Sequence, residues 1–105
     1  MPVPIAPTAL LLALLAGSAA AQTVAPDRQA RVWAAACAAC HGSDGRAQGT
    51  MPVLAGRSAD ELLQILRAFR ADQRQPATVM HQHAKGYTDD ELRRIAAFFA
   101  AQSPR

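Results

Sequence analysis

Three observations predict an all-α fold. Ser58-Ala59-Asp60-Glu61 and Thr88-Asp89-Asp90-Glu91 each pair a hydroxyl residue with a glutamate three positions later, and an apolar stripe follows each. That arrangement satisfies the first amides of a helix from both directions. Asp27, directly after Pro26, supplies a third start signal. No segment alternates apolar and polar residues convincingly enough for a strand, and no internal repeat is visible.

The first helix is expected from Asp27 to about Ala39, with Ala30, Trp33, Ala34 and Cys37 on one face. The second follows Ser58, carries Leu62, Leu63, Ile65, Leu66 and Phe69, and should fade near Arg74 ahead of Pro76. The last follows Thr88, buries Leu92, Ile95, Ala96, Phe98 and Phe99, and should end around Gln102 before Pro104. Two long loops remain. Residues 42–57 form one, and residues 75–87, with Met80, His81 and His83, form the other. Loops this long around so small a core usually wrap something.

The chain has 105 residues, enough for one small domain. Residues 5–16 are almost all small or aliphatic, and Gly17-Ser18 and Ala19-Ala20-Ala21 follow. This reads as a signal peptide over residues 1–21, cleaved before Gln22, although no Lys or Arg supports its amino-terminal end. The apolar run is too short for a spanning helix. The expectation is a periplasmic domain over residues 22–105 with no stable membrane insertion after cleavage. Its net charge of +3 comes from arginines interspersed with acids and few aromatics, which argues against nucleic acid. A core of this size commonly needs a staple or a bound group. A disulfide between Cys37 and Cys40 would close too short a loop to stabilise much.

"AACAACHG", residues 35–42, sets two cysteines three positions apart with a histidine after the second. A thioredoxin-like pair belongs at the start of a helix in a βαβ unit, whereas this pair lies at a helix end. A zinc site would have to recruit His81 and His83, which have the wrong spacing and lie far along the chain. An inert disulfide is the remaining plain reading. Cys-x-x-Cys-His in an exported chain is the signature of covalent haem attachment. One helical turn lets Cys37 and Cys40 form two thioethers to the porphyrin edge, and His41 then offers its imidazole to the iron.

With these residues in view, the chain resembles the class I c-type cytochromes of the short bacterial type, from "CAACHG" through "MPVLAG" to "DDELRRIAAFF". The resemblance implies three main helices and long loops wrapped around one covalently bound haem c. The first and last helices would cross, with Ala30 and Trp33 against Ile95, Phe98 or Phe99. It implies that the carbonyl of Pro52 accepts a hydrogen bond from His41, orienting the imidazole; the plain alternative is that Pro52 merely turns the loop. The resemblance also makes Met80 the distal ligand. Met51 competes, but its neighbour Pro52 would hold it on the proximal side. His81 and His83 read better as solvated residues of an exposed loop. Tyr87 has two readings, a contact with the haem edge or a propionate and a staple before Thr88.

The implied function is single-electron transfer between redox protein partners, with no catalysis by this chain alone. Thr78-Val79-Met80 and Ala84 to Asp89 resemble the cytochrome subunits of flavocytochrome c sulfide dehydrogenases, which would make the partner a flavoprotein subunit. A diffusing carrier is the second reading. A haem-based peroxidase or sensor with an open sixth iron position is the alternative of a different class.

Overall fold

The computed structural model describes residues 1–4, 17, 25–76 and 79–104. Among them are four α-helices and no strand: α1 (Arg28–His41), α2 (Ala59–Arg70), α3 (Val79–Lys85) and α4 (Asp89–Ala100), with a 3₁₀ turn at Ser43–Gly45 after α1. The expected signal segment falls almost wholly outside the described residues.

Helices α1, α2 and α4 each start where a cap dictates. The Asp27 carboxylate accepts from the Ala30 amide at 3.0 Å and opens α1. Thr88 and Glu91 exchange both bonds of the capping box, with Glu91 N donating to Thr88 Oγ1 at 3.2 Å and Thr88 N to Glu91 Oε1 at 2.9 Å. At α2 only half the box forms. Ser58 Oγ accepts from the Glu61 amide, but the Glu61 carboxylate turns to the Arg57 guanidinium, four residues back on the same surface. A charge-assisted partner outcompetes the neutral backbone amide there.

The helix ends depart from the sequence reading. Helix α1 runs two residues past Ala39, to His41, and stops at Gly42, whose φ of 79° breaks the helical path. Helix α2 stops at Arg70, short of Arg74, because Asp72 adopts a left-handed φ of 57°. Residues 79–85, read as loop, form a further helix, α3.

Helices α1, α2 and α4 share one core of Ala34, Leu62, Leu63, Leu92, Ile95, Ala96 and Phe99. Ala30 is 0 % exposed and Ala34 2 %, so small residues on α1 admit close approach of α4. Leu92, 1 % exposed, contributes on the order of 2 kcal/mol by burial alone. Trp33, Cys37, Leu54, Leu66, Tyr87 and Phe98 pack at the edge of this core and stay partly exposed. The stripes on α2 and α4 therefore face inward as their periodicity predicts, with Ile65 and Phe69 at the margin.

Candidate functional site

The end of α1 presents Cys37, Cys40 and His41 within little more than one turn. Both cysteines are unpaired thiols. Cys37 is half-buried at the core margin, and desolvation pushes its thiol pKa up; Cys40 is exposed. His41 is 7 % exposed. Its Nδ1 donates to the carbonyl oxygen of Pro52 at 2.8 Å, which leaves Nε2 as the ring's lone-pair nitrogen.

The loop after α1 is built to bring Pro52 back. Gly42 turns the chain sharply; a Cβ there would meet the Arg46 carbonyl oxygen at 2.8 Å. The amides of Leu54 and Ala55 both donate to the Gly45 carbonyl, at 2.8 and 3.2 Å, and cinch the loop across its base. Gly45 is itself wedged in the core, where a Cβ would lie 2.7 Å from Phe99 Cδ1 and 2.9 Å from Leu54 Cβ. The far side of the loop is thereby held next to α1 with the Pro52 carbonyl facing the His41 ring. Arg46 fastens the same loop to the carboxy-terminal tail by donating to the Ser103 carbonyl at 2.7 Å.

Of the two methionines beyond the expected signal segment, Met51 is exposed beside Pro52, and Met80 is half-buried on α3. His81 departs from the solvated loop residue its sequence context suggests. It is 6 % exposed, packs at a tilt against Phe69 with ring centroids 5.4 Å apart, and has Nδ1 3.0 Å from Asp72 Oδ1 and Nε2 2.8 Å from the Arg74 carbonyl oxygen. Both ring nitrogens thus face protein oxygens at hydrogen-bonding distance. Sequence reasoning missed this because the partners lie beyond the break in α2 that Asp72 makes. His83 is exposed. Tyr87 sits edge-on to Trp33, with ring centroids 6.3 Å apart, and belongs to the core margin.

The donor set fits a covalently bound haem. It has two unpaired thiols one helical turn apart, an adjacent imidazole whose Nδ1 is already committed to a carbonyl, and a thioether on a separate helix. No cluster of three or more His, Cys, Asp or Glu side chains suited to a bare metal ion occurs among the described residues. Residues 24–99 match the family model described as cytochrome c oxidase, cbb3-type, subunit III. The chain belongs to the c-type cytochromes. Haem c is accordingly its cofactor and electron transfer its activity.

Among relatives, this cytochrome is 36% identical over 91 residues to the cytochrome subunit of sulfide dehydrogenase of Chlorobaculum tepidum, covering 85% of this chain and 82% of that one. It is 39% identical over 71 residues to cytochrome c-554(548) of Halomonas halodenitrificans, covering 63% of this chain and 83% of that one. A thiosulfate dehydrogenase electron acceptor of Stutzerimonas stutzeri is 40% identical over 67 residues, which are 61% of this chain but 31% of that protein. These are electron-transfer proteins by name, and they lend no support to the peroxidase or sensor alternative. No described helix is long and apolar enough to cross a membrane.

Proposed function

We propose that this cytochrome is the electron-accepting subunit of a flavocytochrome c sulfide dehydrogenase, holding one haem c in the periplasm after cleavage of residues 1–21. The observation that carries the site is the 2.8 Å bond from His41 Nδ1 to the Pro52 carbonyl, which fixes the ring and leaves Nε2 to the iron. The bond also makes the imidazole a stronger donor. Cys37 and Cys40 hold the group through two thioethers, and Met80 supplies the thioether on the opposite side. Bound haem supplies an iron that cycles between the ferric and ferrous states. A thioether paired with an imidazole favours the ferrous state relative to two nitrogens. With His41 and Met80 both holding the iron, the site would pass electrons and bind no substrate.

The assignment to a sulfide-oxidising complex rests on similarity to the Chlorobaculum subunit along nearly the full length of both chains, including the stretch from Thr78 to Asp89. In such a complex, electrons arrive from the flavin subunit that oxidises sulfide. A diffusing carrier is the second reading, favoured by the likeness to the small cytochrome of Halomonas. The two separate in native-size protein isolated from the host. A constant flavin-to-haem ratio in a particle much larger than this chain supports the subunit; haem alone in a small particle overturns it in favour of the carrier.

A further inference from the structure

We propose that His81 is a positioning residue that locks the helix carrying Met80 onto the end of α2. The inference rests on the reading of Met80 as the distal ligand. Helix α3 has only seven residues, too few to hold a fixed orientation by its own hydrogen bonds. Its attachment must come from packing. Two of its side chains are buried, His81 and Ala84. Successive residues on a helix are about 100° apart, so Met80 lies on the flank of the face that these two define. Whatever fixes the rotation of that face fixes the direction in which Met80 leaves the helix.

Ala84 fills space but has no directional group. His81 has two, and both are used. Nδ1 lies 3.0 Å from Asp72 Oδ1 and Nε2 2.8 Å from the Arg74 carbonyl oxygen, while the ring lies against Phe69. Arg74 closes over the other part of the assembly, with its guanidinium 5.4 Å from the Phe69 ring centroid. The backbone of Asp72 is pinned by hydrogen bonds. It sits in the left-handed region at the end of α2, its amide donates to the Phe69 carbonyl at 3.1 Å, and the next amide, of Gln73, to that of Ala68 at 2.9 Å. Its second carboxylate oxygen accepts from Lys85 Nζ at 2.7 Å, so one aspartate grips both the start and the end of α3. A buried imidazole with polar contacts at both nitrogens is costly to displace, since rotation of α3 would separate those groups from their partners. The clamp thus resists the movement by which Met80 would leave the iron.

The test is the rate at which cyanide binds the purified ferric holoprotein, read together with the reduction potential and the visible band of thioether-ligated ferric haem. His81→Phe keeps an aromatic ring against Phe69 and removes both polar contacts; cyanide binding should accelerate at least about tenfold and the potential should fall. Asp72→Ala should act in the same direction and serves if His81→Phe does not fold. Asp72→Asn, which keeps an acceptor oxygen and tolerates left-handed backbone, should restore the rate to within about threefold of wild type. Arg94→Ala loosens a distant junction and should not accelerate binding. Wild-type rates in both His81→Phe and Asp72→Ala overturn the clamp, as does equal acceleration in Arg94→Ala, which would mark a general loss of stability. Met80→Ala should lose the thioether band and bind cyanide fastest of all. If it behaves as wild type, the reading of Met80 as ligand fails first, and the clamp has nothing to position.

Discussion

Arg94 on α4 grips Asp27, the residue that caps α1, with Nε to Oδ2 at 2.7 Å and Nη2 to Oδ1 at 2.9 Å, while its guanidinium lies 4.8 Å from the Trp33 ring centroid. One side chain therefore joins the last helix to the cap, and to the exposed edge of the first. The Arg94 bond, then the Ala30 amide, hold the Asp27 carboxyl down at about 2. A carboxyl depressed on folding adds stability above its unfolded value near 4 and loses it as pH falls through about 2. Arg94→Ala should be less stable than wild type at neutral pH, with the gap closing through that acid window. The effect is modest, because both side chains are more than a third exposed. Urea unfolding at a series of pH values checks it; a gap that stays constant down to the acid limit would sink the linkage.

Gly45 and Gly49 both have positive φ, at 78° and 77°, but different surroundings. A Cβ at Gly45 meets Phe99 and Leu54, whereas at Gly49 nothing lies within 4 Å. Gly49→Ala should cost about 1 kcal/mol, from backbone strain alone. Gly45→Ala adds overpacking and should cost about 2–4 kcal/mol. Denaturant midpoints of the two variants measure the difference, and equal losses would contradict the packing.

Pro52 acts on His41 through its backbone carbonyl, which any residue has. Pro52→Ala should keep the imidazole bond and lose about 0.5–1 kcal/mol, because the unfolded chain gains freedom. NMR of the His41 ring proton tests the first part, since a bonded Nδ1 proton exchanges slowly with solvent. Fast exchange in the variant would show that proline's rigidity, rather than its carbonyl position, keeps the bond.

In chain produced without haem and kept reduced, Cys40 should alkylate before Cys37. Cys40 is exposed, while burial raises the Cys37 pKa and lowers its thiolate fraction. Peptide mapping after brief iodoacetamide treatment gives the order. Preferential labelling of Cys37 would place the end of α1 differently against the core.

The helices were legible where a local device announces them. Asp27 and Thr88 cap their helices as read, and Leu92, Ile95, Ala96 and Phe99 turn inward at helical spacing. The second capping box was only half right, because Arg57 offers Glu61 a partner that the four-residue pattern does not contain. Helix α3 was invisible: its histidines and lysine carry little apolar periodicity, and what holds it is the end of another helix.

The sequence by itself determined the all-α class, three of the four helices and the Cys37-Cys40-His41 motif, because caps, apolar periodicity and motif spacing act over a few residues and need no partner elsewhere in the fold. Tertiary structure decided the rest. The Pro52 carbonyl reaches His41 only because Gly42 and Gly45 fold the intervening loop back. His81 is buried only because α2 breaks at Asp72 and leaves a carboxylate and a carbonyl facing it. These contacts depend on where a carbonyl or carboxylate oxygen several residues away lies, and that position is set by the path of the chain between the two partners.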